Sequence, residues 1–118
     1  MLSFTGALKV YLAMHPQDMR KNFNGLSALV SDHLKMDPYQ GALYVFTNRT
    51  HTRIKILFWD GTGLWVATKR LEKGRFSWPK SSTKDQACLS LTPEALSMLT
   101  DGIDLKGAQM RAWYEREK

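Results

Sequence analysis

The chain has 118 residues, 43% hydrophobic and 24% charged, with 17 Lys and Arg against 11 Asp and Glu for a net charge of +6. These values suit one globular domain and exclude a collagen-like, low-complexity or largely disordered chain. The longest apolar runs, Val10 to Met14 and Ala42 to Phe46, are far shorter than the about 20 residues of a membrane span, and the first residues carry no basic, apolar secretory signal. The single cysteine, Cys88, cannot form an internal disulfide and fits a reducing cytoplasm.

In chain order, residues 7–14 suit a strand or a helix start, and Val10 and Tyr11 favour the strand. Met19, Phe23, Leu26, Val30 and Leu34 form one apolar stripe, predicting a helix over about 18–35 with Asp18 as N-cap and Asp37-Pro38 as its stop. Gly25 within it costs on the order of 1 kcal/mol against Ala. Three strands follow, at 42–47, 53–59 and 64–70. Arg49-Thr50-His51-Thr52 makes the first turn and Asp60-Gly61-Thr62-Gly63 the second, where Asp-Gly between apolar runs signals a hairpin. A further strand or tight turn is expected from Lys73-Gly74 to Trp78. Residues 81–86 read as a surface loop, and Cys88 to Leu91 as a short strand. A helix at about 93–101 is marked by Thr92 as N-cap, Pro93 at its first position, a Leu91/Leu96 staple and Gly102 at its end. The expected fold is α+β: a small antiparallel sheet, the longer helix on one face and the short C-terminal helix near one edge. A single domain over 1–118 is expected, with the tail from about 105 set apart.

The charge is uneven. Residues 49–84 hold nine Lys and Arg against Asp60 and Glu72, a net +7, whereas 1–48 sum to +1 and 85–118 to −2. A one-sided field of this kind attracts polyanions, although a solvated strand face has the same composition. Alternation along the hairpin sorts its side chains. Ile54, Ile56, Phe58, Trp65 and Ala67 form the expected core side. The other side carries Arg53, Lys55, Thr68 and Arg70 near the open end, and Leu57, Trp59, Leu64 and Val66 near the turn. Cations beside an aromatic suit phosphates and bases, and a basic β-ribbon can lie in a duplex groove; equally, Lys and Arg stems can cover apolar surface. Arg20 and Lys21 at a helix start favour an anion there, unless the helix begins later, near Asn24, and both lie in a loop.

Catalytic signatures are lacking. His15, His33 and His51 are isolated, and there is neither a Cys-x-x-Cys pair nor a phosphate-binding Gly-x-x-x-x-Gly-Lys loop. Asp18, Asp32 and Asp37 would have to converge in space to hold metals for a nuclease. Cys88, among apolar neighbours, reads as an inert buried thiol. No enzyme activity, cofactor, metal or small-molecule substrate is expected.

The ordered set Val10-Tyr11-Leu12-Ala13, Asp18-Met19-Arg20-Lys21, Gly25-Leu26, Val45-Phe46, Arg53 to Leu57 with Trp59-Asp60-Gly61, Lys69 to Phe76 with Trp78-Pro79, Leu91-Thr92-Pro93 and Asp101-Gly102-Ile103-Asp104 resembles a known family. It is similar to the TnpB (second reading frame) accessory protein of IS-sixty-six-type bacterial insertion sequences, over roughly residues 9–105. Asn22 departs from the pattern, which usually has glycine there; Asn tolerates positive φ better than most residues. The resemblance implies a protein encoded in a mobile element beside a larger transposase and implicated in transposition. It does not extend to the far longer RNA-guided nucleases that share the TnpB name.

Three readings follow, the last and least supported being a metal-dependent nuclease built on such a carboxylate cluster. In the first, a non-enzymatic accessory factor binds element DNA, as a duplex, through Arg20, Lys21, Arg49, Arg53, Lys55, Lys69, Arg70, Lys73 and Arg75. In the second, an adaptor docks on the transposase or another element protein through Trp59, Trp78, Trp113 and Tyr114, since interface hot spots favour Trp and Tyr.

Overall fold

The computed structural model describes residues 8–80 and 86–102. Five strands, β1 (Val10–Ala13), β2 (Leu43–Thr47), β3 (Arg53–Trp59), β4 (Leu64–Arg70) and β5 (Cys88–Leu91), form one sheet in the order β4-β3-β2-β1-β5. The helices are α1 (Phe23–Ala28), which runs on into a π-helical turn (Leu29–His33), and α2 (Pro93–Thr100). The α+β architecture is as expected. The sheet is antiparallel at three of its pairings, but β1 and β2 run parallel, Val10 opposite Leu43. A parallel pair needs a long connection, and α1 lies within it.

Alternation divides the core. On one face Val10, Leu12, Leu43, Val45, Ile54, Ile56 and Phe58 pack with Phe76, Trp78, Leu91 and the Ala95, Leu96 and Leu99 stripe of α2. On the other, Ala13, Tyr44, Phe46 and Leu57 pack with Leu26, Val30 and Leu34. The sheet is thus sandwiched, and α2 covers a face rather than lying near an edge as expected. Its stripe is apolar on one side only, so it must bury that side on sheet rather than solvent. β2, the middle strand, is buried throughout, which is why Ala42 to Phe46 reads as an unbroken apolar run.

The first helix begins later than its stripe suggests. The Asp18 carboxylate accepts from the Arg20 backbone N–H (2.9 Å), and Lys21 N–H donates to the Asp18 carbonyl (3.1 Å). These bonds close a turn over 18–21, so Asp18 is not a helix cap. The first helical bond is Leu26 N–H to the Asn22 carbonyl, at 2.7 Å. Gly25 has a purpose: a Cβ there would meet the Lys21 Cβ at 3.1 Å, so its hydrogen lets the Lys21 stem lie against the helix. Lys73-Gly74 makes a turn, not a strand, with Gly74 at φ +78. At α2, the Thr92 hydroxyl accepts from Ala95 N–H (3.1 Å) as the sequence predicts, and Gly102 leaves the helix at φ +78.

Candidate nucleic-acid interface

The hairpin register pairs Arg53 with Arg70, Lys55 with Thr68, Leu57 with Val66 and Trp59 with Leu64, so these share one face as the alternation predicts. The Asp60–Gly63 bond (3.1 Å) and the Leu71–Thr52 bond (2.9 Å) bracket the ladder. In phase with them, Phe58–Trp65, Ile56–Ala67 and Ile54–Lys69 exchange backbone bonds. Arg53 and Arg70 therefore form a non-hydrogen-bonded pair, the closer kind, with Cα atoms about 4.5 Å apart. Like charges directly opposite repel, and both arginines are exposed. Arg70 reaches Glu72 at 3.7 Å, an ion pair open to water on both sides and therefore weak.

Neighbouring loops bring more cations to this end of the sheet. In the β2–β3 turn, Asn48 Oδ1 accepts from the N–H groups of Thr52 (2.9 Å) and Arg53 (3.2 Å), which fixes Arg49 at the exposed tip. The loop after β4 is tied back by Phe76 N–H to the His51 carbonyl (2.7 Å), so Lys73 and Arg75, both exposed, stand beside that turn. His51 anchors the junction at φ 58, its ring stacked on Trp78 with centroids 5.9 Å apart. Its Nδ1 is buried without a partner. Burial, then the charge of Arg75, holds its pKa below the ordinary histidine value.

Other predicted cations are engaged elsewhere. Lys55, half-buried, donates from Nζ to the Lys21 carbonyl (2.8 Å) and so ties α1's approach to the sheet. Lys69 projects to the opposite face and donates to the Thr100 carbonyl (2.7 Å), at the negative end of α2. Arg20 forks onto Asp18, with Nη2 to Oδ2 at 2.7 Å and Nε to Oδ2 at 3.0 Å. Those bonds hold the Asp18 carboxyl at about 2. Lys21 is exposed, but in the turn before α1 rather than in its first turn.

Of the predicted partner anchors, Trp78 is corrected. It is buried in the core, and its indole N–H donates to the Ala13 carbonyl (3.1 Å). Trp59 is half-buried and packs edge-on against Tyr39, centroids 5.3 Å apart. Trp113 and Tyr114 lie outside the described residues. Two aromatics were not singled out by the sequence: Tyr39 is 54% exposed, and Trp65, assigned to the core, is 48% exposed. Trp65 stacks on Phe58 (6.0 Å) and donates to Asp60 Oδ2 (2.7 Å), beyond the reach of α2. The signal for this was its place one residue into the strand, next to the turn.

The ribbon cannot lie flat in a duplex groove, because its middle is covered on both faces: Leu57 by the α1 cluster, Ile56 and Phe58 by the α2 cluster. Elsewhere, an open cleft of about 450 Å³ at the start of β1 and β2 is lined by Tyr11, Lys35, Asp37, Gln40 and Tyr44. The Tyr44 hydroxyl donates to the Asp37 carbonyl (2.8 Å), and burial first, with nearby charge, raises its pKa to about 12. The rings of His15 and His33, isolated in sequence, meet at 5.9 Å. Among the described residues, no group of three or more His, Cys, Asp or Glu side chains is placed to hold a metal ion. Cys88 is half-buried rather than buried, and desolvation raises its pKa. No described helix is long and apolar enough to cross a membrane.

Comparison with known proteins adds a second line. A family model described as IS66 Orf2-like protein matches residues 8–110. Two Sinorhizobium fredii proteins are similar: "Uncharacterized protein y4jC", 39% identical over 88% of this chain and 86% of its own length, and "Uncharacterized protein y4hO", 36% identical over 86% of each. No solved structure matches.

Proposed function

The chain belongs to the IS66 Orf2-like protein family, and from that premise we propose that it is a non-enzymatic accessory factor of transposition that binds the element's duplex DNA through the open end of the β3–β4 hairpin. The observation that carries this reading is the Arg53–Arg70 pair, directly opposed across the ladder and exposed. Two guanidinium groups held side by side repel until an anion lies between them, and a phosphate takes both in a forked geometry. Arg49, Lys73 and Arg75 extend the same end, and Lys21 stands beside it through its link to Lys55. Lys55, Lys69 and Arg20 are structural in this reading. Phosphate contacts position a protein without reading sequence, so affinity should depend steeply on salt.

Fluorescence anisotropy with the element's terminal repeat and a scrambled duplex, at low and near-physiological salt, tests this. Binding that weakens with salt is expected, with a log–log slope of about −0.9 for each phosphate engaged. No binding at low salt would sink the reading.

The exposed aromatics favour a second reading, docking on the transposase or another element protein. At the turn end of the hairpin Tyr39 packs on half-buried Trp59 on one face and Trp65 is exposed on the other, and such residues dominate interface energies. Co-purification with the transposase after nuclease treatment, lost on replacing Trp59 and Tyr39 by Ala, supports it.

A further inference from the structure

We infer that the free edge of β4 pairs antiparallel with the β4 edge of a second copy of this chain. The ladder phase set by the Asp60–Gly63 and Leu71–Thr52 bonds turns the N–H and C=O groups of Leu64, Val66, Thr68 and Arg70 away from β3. β4 ends the sheet, and among the described residues no strand lies beyond it. A seven-residue edge strand with the backbone groups of four residues turned outward is a template for another strand.

What the strand carries decides what pairs with it. Cations sit at one end (Lys69, Arg70) and uncharged residues at the other (Leu64, Trp65). Antiparallel pairing centred on Ala67 sets each Lys69 opposite the other copy's Trp65, and each Arg70 opposite its Leu64. The two Arg70 residues then stand about 20 Å apart along the strands, beyond strong repulsion. All seven residues overlap, and the outward groups of Val66 and Thr68 meet those of Thr68 and Val66.

An independent feature fits the same register. An apolar groove of about 220 Å³ runs along this edge between β3–β4 and α2, lined by Ile54, Ile56, Ala67, Lys69, Leu96 and Thr100. Ala67 and Lys69 lie on the same face as Trp65. The pairing brings the second copy's Trp65, half-exposed in the single chain, to the mouth of this groove. The sheet continues across the contact with α2 of both copies on one side, and the cationic end of each hairpin lies alongside the turn end of the other.

The test needs no DNA, so its outcome is separate from that of the proposed function. Nuclease-treated full-length protein is followed by sedimentation equilibrium over a concentration series, alone and as Thr68→Pro. The Thr68 N–H faces outward, so proline there removes an edge donor while sparing the ladder with β3. A dimer that becomes monomeric in Thr68→Pro, with the circular dichroism unchanged, is the expected result. Trp65→Ala should raise the dimer dissociation constant about tenfold or more. Amide exchange in the unaltered protein checks the pairing even if Thr68→Pro misfolds. Leu64, Val66, Thr68 and Arg70 should gain protection as concentration rises. A monomer at every concentration, a dimer that survives Thr68→Pro, or protection independent of concentration (the edge then being taken by another segment of the same chain) would each overturn the inference.

Discussion

The open end and the turn end of the β3–β4 hairpin share one ladder and one alternation, yet present different chemistries. The open end sets two arginines face to face and gathers Arg49, Lys73 and Arg75 from adjoining loops. The turn end, about 20 Å away, shows Trp59, packed on Tyr39, and Trp65, whose indole N–H is held by the Asp60 carboxylate. Between them Ile56, Leu57 and Phe58 are buried by both helical layers. At each end some side chains lie outside both layers, as Arg53, Arg70 and Trp65 do, and there the choice of side chain is freer of packing.

The largest expected effect removes the contrast by loosening its middle. Leu57→Ala leaves a cavity under α1 and should lower the unfolding free energy by about 2–5 kcal/mol in urea titration. A loss under about 1 kcal/mol would mean that α1 is not seated on this strand.

Charge reversal confined to the open end comes next. Arg53→Glu with Arg70→Glu should weaken duplex binding about 100-fold at low salt, roughly tenfold for each charged contact, with the unfolding midpoint unchanged. The neutral pair Arg53→Gln and Arg70→Gln should reduce the salt slope by about 0.9, that of the one phosphate they share. Unchanged affinity in both doubles would remove the interface from this end. Lys55 is a poorer choice, because reversing it also breaks the bond to the Lys21 carbonyl.

The smallest effect belongs to the turn. Bonds from the Trp65 indole, then from Thr62 and Gly63, hold the Asp60 carboxyl well below the usual carboxylate range. A carboxyl whose pKa falls on folding contributes stability above its unfolded value, and that contribution is lost as pH falls through the folded one. The Trp65 indole N–H resonance should therefore titrate well below the ordinary Asp pKa of about 3.9, and Asp60→Asn should abolish that titration while leaving DNA affinity alone. A resonance that still titrates in the variant would assign it to another carboxylate.

Strand content was legible because it is local. β3, β4 and β5 fall where alternation and the Asp-Gly turn place them, and Thr92 caps α2 as expected. What the sequence hid depends on contacts between distant residues. Lys55 and Lys69 look like free cations until partners 34 and 31 positions away are brought to them. Trp78 looks like an anchor until Ala13, 65 positions away, accepts its N–H. The start of α1 was hidden for a local reason: the Asp18 side chain closes a turn that competes with the helix. The parallel β1–β2 pair has no local mark, since side-chain alternation is the same for either strand direction.

That parallel pair has a consequence for how the chain assembles. β2, β3 and β4 are a meander of neighbours with short connections, able to form as soon as residue 70 is made. β1 is made first but pairs with β2 only across the α1 connection, and its other edge waits for β5, whose residues 88–91 are among the last described. On the ribosome, the first of the described strands is thus held open on one side until residues 88–91 are made, and a product cut short before Leu91 carries an apolar strand whose outer edge lacks its β5 partner.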